Sequence, residues 1–223
     1  AVFLMASGFL LATCCSDPGI IPRREVIVAS KLQKKLEESL GYDVLASSTV
    51  PLDGRGGGRN LPVELTSRGY RWCRTCRIVR PPRASHCADC DNCVLRYDHH
   101  CPFVNNCVGQ RNYRFFFGFV TSVFCLAIMV LPVLFWFLNS DNFEIAVDGL
   151  LQVSSGVLRP VFYVLIALGS LIGIAAMLSG VLWFYHLFLI STLRTTKEFR
   201  KNIENATQEP TLCGSRGPRL FDP

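Results

Sequence analysis

Apolar positions fall into three unbroken runs separated by one long polar, turn-rich segment. Residues 1–15, AVFLMASGFLLATCC, form the first run, shorter than the about 20 residues a bilayer-crossing helix needs. Residues 115–138 carry no charge and are long enough to span, as are residues 161–183, whose apolar character continues to Ile190. The pattern predicts a multi-pass α-helical membrane protein: a partial span at 1–15, spans at 115–138 and 161–190, and a loop at 139–160 joining them. The chain opens with Ala inside an apolar run, which reads as an N-terminally truncated span; a cleaved signal peptide is the alternative, but no basic region precedes the run. In the polar segment 16–68, residues 29–40 place Leu32, Leu36 and Leu40 on one face and pair Lys34 with Glu38. This predicts an amphipathic helix lying on an anionic membrane surface or on its own domain. Residues 46–60 read as a linker, and their GRGGGR lacks the GK[ST] of a phosphate-binding loop. No internal repeat is apparent.

Charge orients the spans. Sixteen Lys and Arg lie in residues 16–114 and six in 191–223, whereas residues 139–160 hold Arg159 against Asp141, Glu144 and Asp148. By the positive-inside rule the polar segment and the tail at 191–223 are cytosolic and the short loop lumenal or extracellular. Trp136 and Trp183 suit interfacial belts or packing between helices. Asn205-Ala206-Thr207 is a glycosylation sequon on the cytosolic side. Asn205 is therefore expected to be unmodified in cells; a glycosidase-sensitive mass shift at this residue would overturn the topology.

Composition changes the picture at one place. The chain is 50% hydrophobic with eleven cysteines, and seven of these cluster with three histidines in residues 73–107 as C-x2-C-x9-H-C-x2-C-x2-C-x4-D-H-H-C-x5-C. That spacing suits metal in a reducing compartment better than disulfides. Residues 69–114 have too few apolar side chains for a core, so metal must supply the folding energy of short hairpins and loops. Adjacent His86 and Cys87 point to different ions, so the two sites interleave along the chain. The formal charge of +6 overstates the balance, since each Cys3His zinc site carries about −1; nucleic acid is not an expected partner.

Two tetrahedral zinc sites use eight ligands, and ten are present. Counting does not name the surplus pair. Within Asp98-His99-His100-Cys101, a Cys beside an imidazole gains thiolate character, and an Asp can hold that imidazole in one tautomer. The loop that runs on from this group to Cys107 ends eight residues before the apolar boundary at Phe115.

RPPRASHCADCDNC, DHHCP and NNCVGQRNYRFF together resemble the cysteine-rich domain of the DHHC family of protein S-acyltransferases. Asp17-Pro18-Gly19 and Thr195-Thr196-Lys197-Glu198 match two shorter family motifs. The resemblance implies one zinc on Cys73, Cys76, His86 and Cys93 and another on Cys87, Cys90, His100 and Cys107. It makes Cys101 the acylated nucleophile, His99 its base and Asp98 the orienting partner. It implies palmitoyl-CoA as co-substrate, a lipid bilayer of the Golgi, ER or plasma membrane, membrane-associated substrate proteins with accessible cysteines and, in the subgroup this pattern resembles, an accessory subunit. Arg77, Arg80 and Arg83 are candidate partners of the CoA phosphates. Phe103 is a candidate acyl-CoA contact, standing where the family most often has Trp. The small residues Gly169, Gly173, Ala175, Ala176, Ser179 and Gly180 suit acyl-chain space or close helix contacts. The rival reading is a catalytically silent zinc adaptor or ubiquitin-ligase-like scaffold. His186 reads as an interfacial side chain, Cys14, Cys15 and Cys213 as small juxtamembrane residues, and Cys125 as helix packing.

Overall fold

Residues 1–45, 61–138 and 158–207, with Gly149, are described by a computed structural model. The GRGGGR linker, the acidic residues of the 139–160 loop and Cys213 lie outside the described residues. Helix α1 (Val2–Cys15), α5 (Tyr113–Leu138) and α6 (Leu158–Ser191) carry the three apolar runs. Two of them, α5 and α6, are long and apolar enough to cross a membrane. Helix α5 packs against both others. Gly118 of α5 lets the Phe9 ring of α1 lie where a Cβ would sit 3.0 Å from it. On the other side the Trp183 ring of α6 stacks on Phe124 at 4.8 Å and its Nε1–H donates to Thr121 at 3.2 Å. Trp183 is thus a packing residue between helices. Gly180 also abuts Phe124, at 3.3 Å from a notional Cβ, whereas Gly169 and Gly173 face open space.

The cysteine-rich region is built from three antiparallel hairpins, β2–β3 (Arg71–Cys73 with Ile78–Arg80), β4–β5 (Ser85–Cys87 with Asn92–Val94) and β6–β7 (His99–Cys101 with Asn106–Val108). A short strand β1 (Ile20–Ile21) adds to the edge of β5, Ile21 opposite Cys93. The DPG motif makes that docking possible. The Asp17 carboxylate accepts the N–H groups of Gly19 and Ile20, both at 2.8 Å, and pairs with Arg111. Gly19 takes φ 106°, which turns the chain from α1 into β1.

The expected helix at 29–40 is shorter, α3 (Gln33–Leu40), and Ala29 instead ends a separate helix α2 (Arg24–Ala29), the two divided at Lys31 with φ 53°. The pair that forms along α3 is Gln33 with Glu37, at 2.8 Å. Leu36 and Leu40 pack on a core of Ile21, Ile27, Val44, Leu45 and Ile78 that wraps Cys73, Cys76 and Cys93. Of the two placements open to this helix, it lies on its own domain. Helices α4 (Val63–Ser67) and α7 (Thr196–Thr207) complete the described elements.

Gly109, just past β7, sits where no side chain fits: a Cβ there would lie 2.6 Å from the Pro18 carbonyl oxygen and 2.6 Å from Val94. Both neighbours belong to the docked β1–β5 edge and cannot yield cheaply. Gly109→Ala is expected to destabilise the fold by at least about 2 kcal/mol, read as a lower thermal midpoint of the purified protein; an unchanged midpoint would refute this packing.

Candidate active site

The three hairpins are copies of one another, correcting the expectation of no repeat. Cys73, Cys87 and Cys101 recur every 14 residues, each ending the first strand of its hairpin. Three residues on come Cys76, Cys90 and Val104, followed by Arg77, Asp91 and Asn105 at φ 52°, 50° and 45°. Next to each tip a cross-strand pair recurs: Trp72 with Val79, His86 with Cys93, His100 with Cys107. Each four-ligand cluster combines the tip cysteines of one hairpin with the His–Cys pair of the next, giving Cys73, Cys76, His86, Cys93 and then Cys87, Cys90, His100, Cys107.

Both clusters fit a tetrahedral zinc ion, whose ligand atoms lie roughly 3.5–3.8 Å apart. His86 Nδ1 is 3.4 Å from Cys76 Sγ and 4.0 Å from Cys93 Sγ. His100 Nδ1 is 3.4 Å from Cys90 Sγ and 3.8 Å from Cys107 Sγ. The other nitrogen of His86 faces Asp91 at 3.6 Å, a carboxylate placed to orient a metal-bound imidazole. The sulfurs are crowded. Hydrogen bonding to Cys73, burial and the nearby thiols push the Cys93 thiol up, while burial together with Cys87 and Cys90 pushes Cys107 up. A divalent cation is what allows such ligands to coexist as thiolates.

The third hairpin breaks the series. Its tip offers Cys101 with Val104, so the position that would complete a metal-binding pair is apolar. The repeat therefore singles out Cys101 as the unpaired tip cysteine. His99 falls at a place occupied by Arg71 and Ser85 in the other copies, outside the ligand positions. Strand β6 thus carries alternating duties: His100 faces the metal cluster, and His99 and Cys101 face the helices.

Asp98 is 2% exposed and fully engaged. Its Oδ2 lies 2.7 Å from His99 Nδ1 and accepts the Thr196 hydroxyl at 2.6 Å, while Oδ1 accepts the Thr196 N–H at 2.8 Å. Burial opposes the charge, but His99 and Thr196 outweigh it and hold the carboxyl below its usual range. Burial likewise works against the His99 cation, and Asp98 and Cys101 outweigh it to raise the imidazole to about 9. Burial would raise the Cys101 thiol; His99 and the N–H groups of Val104 and Phe103 bring it down instead. The tight turn that aims the N–H groups of Thr75 and Cys76 at the Cys73 sulfur aims the equivalent pair at Cys101.

The TTxE motif explains how the tail reaches this site. Thr195 and Glu198 form a capping box at the start of α7: Thr195 N–H donates to Glu198 Oε2 at 2.9 Å and Glu198 N–H to Thr195 Oγ1 at 3.3 Å. Glu198 also takes a two-pronged contact from Arg83 at 2.7 and 2.8 Å, and Arg83 reaches the Leu193 carbonyl at 2.8 Å. Arg83, a candidate CoA contact by sequence, is thus committed to the tail. Arg77 is exposed and 3.7 Å from Glu25. The Arg80 Nε is buried and has no hydrogen-bond partner among the described residues. Phe103 is 92% exposed, two residues past Cys101. Thr196→Val keeps the backbone bond to Asp98 and loses the hydroxyl one, a charge-assisted contact of about 1.5–3 kcal/mol. Alkylation of Cys101 by iodoacetamide is expected to slow about tenfold with metal content unchanged; a wild-type rate would show that Thr196 does not support the dyad.

Residues 66–203 match the sequence pattern of the DHHC palmitoyltransferase family. The chain belongs to that family. It is 34% identical over 238 residues to palmitoyltransferase ZDHHC9 of Homo sapiens and to that of Bos taurus, covering 99% of this chain and 61% of each relative. It is 36% identical over 200 residues to palmitoyltransferase ZDHHC14 of Mus musculus, covering 88% of this chain and 38% of that protein. The chain thus spans about three-fifths of the first of these relatives.

The expectation that His186 is an interfacial side chain is corrected by its burial. His186 of α6 is 2% exposed and stands beside His99, with ring centroids 6.1 Å apart. Its signal was available: an ionisable residue inside an apolar span is a functional candidate by default.

Proposed function

We propose that the chain is a protein S-palmitoyltransferase that carries a long-chain acyl group on Cys101 between acyl-CoA and cysteines of substrate proteins. The observation that carries this reading is the Asp98–His99–Cys101 line at a hairpin tip whose metal-pairing position is Val104. Cys101 packs with Val104, Val108, Phe116 and Val120, against Leu10 and Cys14 of α1 and Trp183 of α6. The thiol lies where the three apolar helices meet the zinc domain, within reach of an acyl chain held among them.

In the first half-reaction the Cys101 thiolate attacks the thioester carbonyl of palmitoyl-CoA. The tetrahedral adduct expels CoA, whose sulfur takes a proton from His99. In the second, a substrate cysteine gives its proton to His99 and attacks the acyl-Cys101 carbonyl, restoring the Cys101 thiolate. One thioester is exchanged for another, so positioning is the main task. Zinc at the two clusters would hold the hairpins in register and take no part in bond making. Arg80 and the neighbouring Lys197 are the proposed partners of the CoA phosphates, with Arg77 at the rim and Phe103 against the acyl-CoA. Spans α5 and α6 cross a Golgi, ER or plasma membrane with the zinc domain and α7 in the cytosol. Substrate proteins are membrane-associated, and an accessory subunit is a further proposed partner.

The test is direct. The purified full chain is incubated with palmitoyl-CoA labelled in the acyl group, and the hydroxylamine-sensitive label is mapped by mass spectrometry. Label on the Cys101 peptide supports the proposal. Zinc-loaded protein without label would favour the silent scaffold.

A further inference from the structure

His186 is the one buried histidine that neither metal cluster nor the acyl-transfer chemistry uses. An imidazole in an apolar span is costly to bury unless it is hydrogen-bonded, and it has one dedicated partner. The Tyr113 hydroxyl at the start of α5 lies 3.1 Å from His186 Nδ1, a bond that joins α5 to α6 at the level of Cys101. With the hydroxyl as donor, the imidazole is neutral and carries its proton on Nε2. Phe116, 4% exposed, completes a cage: its ring meets His186 edge-on at 5.0 Å and His99 edge-on at 5.2 Å, with interplanar angles of 70° and 73°.

Asp98 fixes only one end of the His99 ring. Rotation about the axis of that hydrogen bond would still swing Nε2 away from Cys101 Sγ. The rings of Phe116 and His186 oppose that rotation from the membrane side. We infer that His186, locked by Tyr113, is a positioning residue that holds the His99 imidazole in line with Cys101. The base is therefore clamped twice, by the zinc domain and tail through Asp98 and by the transmembrane helices through His186. The inference rests on the acyl-transfer reading, since it assigns a role in that reaction. It makes helix packing between α5 and α6 a determinant of rate. Displacement of a catalytic group by about 1 Å can cost on the order of 100-fold, so a partial loss of the clamp is measurable.

The experiment uses the full chain with Tyr113→Phe, His186→Phe, the double variant and His186→Gln. Saturating rates of Cys101 acylation are measured with labelled palmitoyl-CoA, alongside half-saturating concentration, zinc content and the rate of Cys101 alkylation by N-ethylmaleimide. Each Phe variant is expected to lower the saturating rate and the alkylation rate about tenfold, with half-saturation within about twofold and zinc retained. The double variant should be no slower than the slower single one, because both remove the same hydrogen bond. His186→Gln, which can still accept from Tyr113, should recover to within about threefold. Wild-type rates in the Phe variants, additive losses in the double, no recovery in His186→Gln, or losses that track zinc would each overturn the inference. An unlabelled wild-type chain would sink the acyl-transfer reading instead, and the alkylation rates would still report whether His186 and Tyr113 act on Cys101 together.

Discussion

Cys101→Ser is expected to take up no hydroxylamine-sensitive acyl label while retaining its fold and both zinc equivalents. The two halves of that result have separate causes. A serine hydroxyl ionises far above a thiol, and the environment that brings Cys101 down cannot bridge that gap. Losing the nucleophile of an acting unit costs on the order of 1,000-fold or more. The fold survives because Cys101 belongs to neither metal cluster. Its strand is held by pairing of Cys101 with Asn106 and by the Asn106 side chain, whose amide donates to the carbonyls of Thr13, Cys14 and Ser16 at 3.0–3.1 Å. These contacts tie the β6–β7 hairpin to the end of α1 and are blind to the atom at position 101. Full loss of label with loss of one zinc would mean instead that Cys101 is a ligand and that the repeat has been misassigned.

The sequence made some of this site legible and hid the rest for physical reasons. Ligand spacing is a local property, so CxxC corners and the adjacency of His86 and Cys87 already spoke for two interleaved clusters. The 14-residue repeat was equally local yet obscured. Only the tip cysteines and cross-strand pairs recur, and the first copy replaces His and Cys by Trp72 and Val79 while the third replaces Cys by Val104. Backbone φ at Arg77, Asp91 and Asn105 shows the equivalence that side-chain identity conceals. The Leu stripe of α3 predicted a helix, but Lys31 in a left-handed conformation divides it from α2, and nothing in the periodicity marks that break. Contacts across long separations were out of reach. Thr196 meets Asp98 from 98 residues away, and Arg83 meets Glu198 from 115. The resemblance supplied TTxE as a motif without the hydrogen bonds that make it one. For His186, periodicity places it in the span, and only packing of α5 on α6 brings Tyr113 and Phe116 around it.

Cys107→Ala should be more damaging than any change at the Cys101 thiol itself, because it removes a proposed metal ligand from the hairpin that carries Cys101. Cys107 is fully buried and pairs across the hairpin with His100, so the same two residues register β6 on β7 and supply half of the second cluster. Structural zinc contributes about 10–16 kcal/mol of apparent binding energy in small zinc modules near neutral pH, as much as the whole stability of about 5–15 kcal/mol of a typical domain. The hydrophobic residues that pack on this cluster, Val94 and Tyr97, are too few to replace it. The expected protein binds one zinc in place of two, loses the antiparallel pairing that sets Cys101 beside His99, and forms no acyl-enzyme. The first cluster should persist, since Cys73, Cys76, His86 and Cys93 lie on the other two hairpins and share the larger core with Ile21, Ile27 and Val44. Metal analysis with hydrogen exchange on the two hairpin sets checks both parts: protection should vanish across residues 97–108 and remain across 71–80. A variant that keeps both metals, or one in which both hairpin sets unfold together, would show that the interleaved clusters do not divide the domain in this way.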